Sequence, residues 1–193
     1  MGVVRRVVQP ASLPGVHAPG AGFEAPFDML AACHERVERM LALLARLQQH
    51  LLEHGRDDSA RQAARDVMRY FDLAAPLHHQ DEELHVFPPL LAGPDAGLRA
   101  LVQRLLQDHR DMEAAWPPAR SVLQAIAESS ATDWAPLLPA QTAVLERFSA
   151  LYGRHLMDED KLAYPAAQAV LAGEDLQAMS QDMMQRRGVR AGG

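Results

Sequence analysis

Residues 78–88 read HHQDEELHVFP, and residues 155–165 read HLMDEDKLAYP. Both stretches fit the pattern H-x-x-D-E-x5-P, with an aromatic residue, Phe87 or Tyr164, directly before the proline. In each stretch a glutamate follows a histidine by four residues, and on an α-helix such residues lie on one face about one turn apart. The chain therefore carries two copies of one helical His/Glu motif.

Apolar residues spaced three and four positions apart predict four long amphipathic helices around these motifs. Proline is expected to interrupt or end a helix because it lacks an N–H and its ring clashes with the preceding turn. The first expected helix spans 28–54, and the second begins at 58, kinks near Pro76 and ends before Pro88. The third begins at 95 and is interrupted at Pro117–Pro118, and the fourth begins at 139 and ends before Pro165.

A fifth, weaker amphipathic helix is expected from Gly173 to Arg187, and no segment has the pattern of a strand. The predicted fold class is all-α, an antiparallel up-down-up-down four-helix bundle with an extended N-terminal arm and a short C-terminal helix. We divide the chain into an arm at 1–25, which is rich in proline and glycine, a helical domain at 26–187 and a flexible tail at 188–193.

The composition excludes several classes of protein. The net charge is −6 and no run of Lys or Arg exceeds a pair, which argues against a nucleic-acid or anionic-membrane partner. The single cysteine, Cys33, excludes a disulfide scaffold within the chain and a cysteine-ligated zinc or iron–sulfur site. No apolar run reaches membrane-spanning length, so the cytoplasm is the expected location. Nine histidines stand against one lysine, Lys161.

Each predicted helix carries one histidine on its apolar stripe, with a glutamate four residues later. The pairs are His34/Glu38, His78/Glu82, His109/Glu113 and His155/Glu159. One buried histidine is usually a hydrogen-bonded core residue, but four with adjacent carboxylates would be costly to bury without a cation. The two helical hairpins also have similar lengths between their histidines, so two half-sites should meet at one depth and hold two metal ions.

The ligand types narrow the choice of metal. Imidazole and carboxylate without thiolate suit iron, manganese or zinc in the core of a bundle. Four imidazole nitrogens and two bridging carboxylates would give each ion four protein ligands. An oxo, hydroxo or water bridge adds a fifth, and the remaining position is where dioxygen, peroxide or nitric oxide would bind.

These motifs, together with CHERVERML around His34 and DHRDMEA around His109, resemble the hemerythrin-like HHE cation-binding family over residues 26 to about 187. The resemblance implies the hemerythrin-like bundle and a non-haem, oxo- or hydroxo-bridged di-iron centre, with Glu82 and Glu159 bridging the two irons. The full set of ligands that it implies is His34, His78, Glu82, His109, His155 and Glu159.

The third helix departs from the oxygen-carrying hemerythrins, which use two histidines four residues apart where this chain has His109 and Glu113. This difference argues against simple reversible oxygen carriage. The ligand set is more similar to that of the iron–sulfur-cluster repair proteins, which commonly carry an N-terminal cysteine-bearing domain not found in this sequence. Glu113 and Glu38 each stay open as an additional ligand or as an acceptor of a histidine N–H.

Four other residues within the two motif stretches are polar and could lie near the ligands. His79 lies about 100° round the helix from His78 and should face a neighbouring helix or solvent. His85 lies two turns from His78, too far to share an ion, and is expected to be a hydrogen-bonded structural histidine. Asp81 and Asp158 recur in both motif copies, and the sequence leaves open whether they face solvent or contact the ligands.

The sequence thus favours a di-iron protein that binds or senses dioxygen, nitric oxide or peroxide, or that handles iron, over a dedicated enzyme. Alternatives are a di-iron oxidase or peroxide-consuming enzyme, an iron–sulfur-cluster repair protein and, from another class, a metal-free helical interaction module. No Ser-His-Asp, P-loop or dinucleotide motif offers a different chemistry. A sensor of this kind would act through a separate redox or regulatory protein partner.

Overall fold

Four helical rods run side by side in the computed structural model, which describes residues 23–130 and 136–189. The first rod is α1 (Pro26–His54) and the third is α4 (Ala96–Ala127). The second rod joins α2 (Asp58–Asp81), a π-helical turn (Glu82–Val86) and α3 (Phe87–Ala92). The fourth joins α5 (Pro139–Ala150), α6 (Tyr152–Asp158), a second π-helical turn (Glu159–Ala163) and α7 (Tyr164–Val170), and α8 (Gly173–Arg186) follows it.

The bundle is antiparallel, as the sequence predicts. Short connections at 55–57 and 93–95 make the first three rods alternate in direction. Asp57 and Asp95 begin the second and third rods by accepting hydrogen bonds from backbone N–H groups of the following turn. Within the described ranges the structure contains no strand. The expectation of an all-α bundle is therefore confirmed.

The core consists of two apolar clusters separated by a layer of buried polar side chains. Phe71 and Phe148 belong to one cluster, which extends from the layer toward the α1–α2 turn. Phe87 and Met183 belong to the other, which α8 covers. The layer between them contains the buried polar residues His34, His78, His79, Asp81, Glu82, His109, His155, Asp158 and Glu159. Such a layer needs partners for its polar groups, because unpaired burial is costly.

The second and fourth rods do not end where the sequence predicts. The second continues through Pro88 because the helix widens into a π-helical turn just before it, where the Phe87 N–H donates to the Glu82 carbonyl, five residues back. Each proline then lies in the first turn of the next helix, where its missing N–H is not needed. The fourth rod repeats this arrangement ahead of Pro165. The predicted helix ends at the two prolines are therefore wrong.

The predicted interruption of the third rod is also wrong, since α4 runs unbroken through Pro117 and Pro118. Both prolines are exposed, and so are Glu113 and Ala114, whose carbonyls the prolines leave without a donor. Because these residues are exposed, water has access to their backbone, and a hydrogen bond from water to a freed carbonyl lowers the cost of proline within a helix.

The two ends of the chain are described only in part. Residues 23–25 form a turn before α1, while residues 1–22 of the predicted arm and 190–193 of the predicted tail lie outside the described residues. The predicted C-terminal helix is present as α8, and its Met179 and Met183 are buried in the core. In the part of the chain that the structure describes, no helix has the length and apolar character needed to cross a membrane.

Candidate metal centre

The four histidines predicted from the stripes meet inside the bundle, one from each rod. Each is at most 3% exposed, and the two glutamates of the repeated motif, Glu82 and Glu159, are fully buried. The π-helical turns begin at these two glutamates. Short π-helical segments inside α-helices often occur at functional sites because the extra residue redirects the side chains beside it.

The potential metal-binding side chains form two groups. The first, which we call the A cluster, contains His34, His78, Glu82 and Glu159. The second, the B cluster, contains His79, His109 and His155. Within each group one nitrogen or oxygen from every member lies within 4.8 Å of the others, and all seven side chains are buried.

Glu82 presents one carboxylate oxygen to each cluster. Its Oε1 lies 3.5 Å from Nε2 of His78 and 3.8 Å from Nε2 of His34, both in the A cluster. Its Oε2 lies 3.4 Å from Nε2 of His109 in the B cluster. The carboxylate therefore spans the boundary between the two groups of imidazoles.

Glu159 does the same from the opposite rod. Its Oε2 lies 3.2 Å from Nε2 of His34, and its Oε1 lies 3.1 Å from Nε2 of His155 and 3.7 Å from Nε2 of His109. Two carboxylates that each face two nitrogen groups have the donor arrangement needed to bridge a pair of cations, one per cluster.

Several polar atoms at this centre lack a hydrogen-bond partner although they are buried. They are Nδ1 and Nε2 of His78, Nδ1 of His79, Oε2 of Glu82, Nε2 of His109 and both carboxylate oxygens of Glu159. Buried polar groups in proteins are almost always satisfied, and a bound cation would satisfy these lone pairs together. The donor set of imidazole and carboxylate also fits iron, manganese or zinc. The residues present thus fit a metal centre.

The histidines and glutamates of the centre shift one another's pKa values. Burial alone would lower the pKa of His34, but the carboxylates of Glu159 and Glu82 raise it to about 10. Burial acts in the same direction on His109, whose pKa the two carboxylates and Glu83 raise to about 11. Burial and the Glu82 charge would raise the pKa of Glu159, yet hydrogen bonds from His109 and other histidines lower it to about 2. A cation that binds here must displace the protons on His34 and His109.

Two carboxylates that the sequence analysis missed orient the histidines. Nδ1 of His34 donates to Asp160 at 2.8 Å, and Nδ1 of His109 donates to Glu83 at 2.8 Å. Each hydrogen bond holds the ring so that Nε2 points into the centre, which is how outer carboxylates fix metal-binding histidines. The signal was present in the sequence, because an acidic residue directly follows the glutamate in both copies of the motif.

The recurring aspartates form ion pairs with arginines. Asp81 is fully buried and pairs with Arg186 at 2.6 Å and Arg187 at 2.5 Å, which joins α8 to the second rod. Asp158 pairs with Arg104 at 2.5 Å and with Arg154 at 3.3 Å. Neither aspartate belongs to the A or B cluster. Both aspartates connect neighbouring elements one residue before Glu82 and Glu159.

The aromatic residue before each proline faces a different side of the centre. The Tyr164 hydroxyl donates a short hydrogen bond to Oε1 of Glu82, and its oxygen lies 2.9 Å from Nε2 of His34. Phe87, its counterpart, lies beside His109 with ring centroids 5.6 Å apart. The sequence analysis noted this aromatic position but not its hydroxyl, which enters the A cluster.

His79 occupies a place that the sequence analysis did not assign to the centre. It is only 6% exposed and its ring stacks on His109 of the neighbouring α4 with centroids 4.0 Å apart, so of the two expected positions, a neighbouring helix or solvent, the first is correct. Burial, together with the charge on His109, lowers its pKa well below the usual value. His79 lies about 100° round the helix from His78, so its side chain points toward His109 on the neighbouring rod rather than toward the A cluster.

The two glutamates left open by the spacing lie outside both groups. Glu38 and Glu113 are exposed, and neither joins the A or the B cluster. His85 pairs with Asp182 of α8 at 2.7 Å, in line with a structural role. Four-residue spacing alone therefore does not distinguish the glutamates that enter the centre from those that face solvent.

Comparisons with known proteins agree with this architecture. The family model of the hemerythrin HHE cation binding domain matches residues 25–167, about three quarters of the chain. An uncharacterized protein of Haemophilus influenzae is 29% identical over 171 residues, which make up 88% of this chain and 94% of that protein. The matched family range includes all four rods up to α7 and every residue of the A and B clusters.

Proposed function

The chain belongs to the hemerythrin HHE cation-binding family, and from that premise we propose that it is a non-haem di-iron protein that binds or senses a small ligand such as dioxygen, nitric oxide or peroxide. The observation that carries the proposal is the placement of Glu82 and Glu159, each with one oxygen toward the A cluster and one toward the B cluster. A single ion would not require two carboxylates directed in this way.

The proposed ligands are the six that the family resemblance implies, His34, His78, Glu82, His109, His155 and Glu159. Imidazole and carboxylate favour iron over softer metals, and a bundle core is a common setting for carboxylate-bridged di-iron. When bound, such a pair of irons supplies reversible one-electron chemistry and open positions for a small molecule. The protein holds the ligands rigidly through Asp160 and Glu83 and excludes bulk water by burying the centre.

A small cavity beside the centre supports a small, uncharged ligand. Its volume is about 40 Å³, and its lining is mainly apolar, with Phe71, Met112 and Phe148 around it, while His79 and the exposed Glu113 also contribute to it. About 10–15 Å³ measured in this way holds one water molecule, so the cavity accommodates a diatomic molecule but not a larger substrate. A mainly apolar lining favours neutral molecules over ions, because desolvating a charge is costly.

Metal content and an absorption spectrum test the proposal directly. Protein purified after iron-replete expression should contain about two irons per chain and should show near-ultraviolet bands that disappear on reduction. Spectra under air, reductant and nitric oxide then identify the ligand. Stoichiometric zinc, or no metal at all, would exclude the di-iron proposal. If the purified protein instead releases its iron quickly to a chelator, or to an acceptor protein that lacks its iron–sulfur cluster, the result would favour iron handling or iron–sulfur-cluster repair.

Peroxide consumption is the second candidate, and the Tyr164 hydroxyl favours it. A phenol at the metal centre can act as a proton donor to a reacting oxygen, which simple binding does not require. Peroxide turnover by the iron-loaded protein should then fall at least tenfold in Tyr164→Phe while the iron content stays unchanged, and it should disappear in His109→Ala and Glu159→Ala. Stoichiometric binding without turnover in the unmodified protein would remove this candidate.

A further inference from the structure

The two copies of the motif differ at the position directly after the first histidine. That position is His79 in the second rod and Leu156 in the fourth. Both side chains are buried, at 6% exposure each. A leucine there belongs to the apolar core, whereas a histidine brings two polar nitrogens into the same kind of environment. The histidine therefore needs a reason that the repeat itself does not give.

The contacts of His79 place it among the B-cluster imidazoles. Its ring stacks on that of His109, at 10° and with centroids 4.0 Å apart, and its centroid is 6.3 Å from that of His155. Because an ion lies near the plane of each imidazole that binds it, one of the two stacked rings has to turn before both can bind the same ion. Its ligand atom lies within 4.8 Å of those of both histidines. The stack on His109 accounts for the burial of the ring, but its Nδ1 is buried without a hydrogen-bond partner among the described residues.

We infer that His79 is a seventh metal ligand, completing the B cluster as a three-histidine site. This inference rests on the proposed di-iron function and assigns a ligand that the six-residue set does not include. The third nitrogen that oxygen-carrying relatives take from the third helix would here come from the second, since Glu113 faces solvent. The motif on the second rod thus supplies ligands to both ions, His78 to the A ion and His79 to the B ion.

The additional ligand makes the two ions unequal. An ion in the A cluster would be held by two histidines and two carboxylates, and an ion in the B cluster by three histidines and the same two carboxylates. With one solvent-derived bridge, the B ion would have six ligands, whereas the A ion would have five and would keep one position for a further ligand. An exogenous small molecule would then bind the A ion, on the side where the Tyr164 hydroxyl lies, and the small cavity beside His79 on the B side would not be its binding position.

The test compares His79→Leu, which copies the residue found at Leu156, with the unmodified protein and with His54→Leu. His54 is exposed and far from the centre, so it controls for the loss of a histidine. Iron content and Mössbauer spectra are measured on each protein. The unmodified protein and the control should hold about two irons in two unequal environments. In His79→Leu the B iron should be lost or bound at least tenfold more weakly, so that about one iron per chain remains.

Two outcomes would overturn the inference without affecting the proposed function. One is a His79→Leu protein that keeps two irons with unchanged spectra and unchanged resistance to a chelator. The other combines two results. The His79→Leu protein loses iron and, when metal-free, also unfolds at a lower temperature than the metal-free unmodified protein, and added imidazole fails to restore the iron in His79→Ala. If His79 is a ligand, added imidazole should enter the enlarged cavity of that variant and restore the second iron. Failure of the unmodified protein to bind iron, by contrast, would reject the proposed function itself.

Discussion

The A and B clusters are built from the same motif, yet they differ in the two side chains that decide their chemistry. On the A side Tyr164 places a hydroxyl at Glu82 and His34, whereas on the B side Phe87 places a plain ring at His109. On the B side His79 adds a third imidazole, whereas its counterpart Leu156 adds none. The two copies of the motif thus place similar backbones around the centre, and the differences at Tyr164/Phe87 and His79/Leu156 are what would make the two proposed ions unequal.

The strongest test of this comparison removes a group that both sides share. Glu159→Gln should lower the iron content from about two per chain to near zero, because this carboxylate faces both clusters and a neutral amide neither bridges nor balances the charge of the ions. Glu38→Gln and Glu113→Gln are matched controls, since each glutamate also follows a histidine by four residues but is exposed. Iron retained in Glu159→Gln, or lost equally in Glu113→Gln, would contradict the assignment.

The aspartates before the bridging glutamates provide the next test. Asp81→Asn should destabilise the metal-free protein by about 3 kcal/mol, because Asp81 is fully buried and its partners Arg186 and Arg187 are only 17% and 15% exposed. Asp158→Asn should cost at most about 1 kcal/mol, because Arg104 and Arg154 are 39% and 74% exposed and solvent screens the pair. Urea unfolding of both variants measures the difference. Equal losses would show that α8 does not stabilise the second rod more than Arg104 and Arg154 stabilise the fourth.

The orienting carboxylates allow each side to be weakened separately. Asp160→Asn should lower the affinity of the A ion, and Glu83→Gln that of the B ion, each by about 10-fold to 100-fold. Each amide leaves its histidine ring less firmly oriented without removing a ligand. Chelator competition followed by Mössbauer spectroscopy reports which iron leaves first. Loss of the same iron in both variants would contradict the division into two sides.

The smallest expected effect on iron affinity comes from removing the Tyr164 hydroxyl on the A side. Tyr164→Phe makes that side resemble the B side and should change iron affinity by less than about tenfold, because one hydrogen bond contributes about 1 kcal/mol when a cation already holds Glu82. The rate of nitric oxide release, or of oxygen release, should change by more. Tyr152→Phe is the matched control, since that buried ring packs on Phe71 and Phe148. Equal effects in both variants would exclude a specific role for Tyr164.

Much of the fold and part of the centre could be predicted from the sequence because periodicity is a local property. The amphipathic stripes predicted four rods and placed one histidine of each in the interior. Proline effects were less predictable, because whether a helix ends at proline depends on whether the turn can widen and where the freed carbonyls face. Pro88 and Pro165 illustrate the first condition, and Pro117 the second.

The rest of the centre could not be predicted because contacts between rods depend on how each helix is rotated. His79, Asp160 and Glu83 all act on residues of a different rod. His79 lies about 100° round the helix from the predicted ligand His78, and the sequence predicted that it faces a neighbouring helix or solvent. Only the packing of α4 against α2 shows that it contacts His109. Conversely, Glu38 and Glu113 have the correct spacing but face outward.

The sequence by itself determined the bundle, its four interior histidines and the repeated H-x-x-D-E-x5-P motif that marks Glu82 and Glu159. These follow from spacing along single helices, which the backbone geometry fixes before any packing occurs. The tertiary structure alone decided how the seven side chains divide into two clusters, which carboxylate oxygen faces which cluster, and that His79 and Tyr164 lie on opposite sides. These depend on the rotation and depth of whole rods relative to each other, which the packing of the two apolar clusters sets.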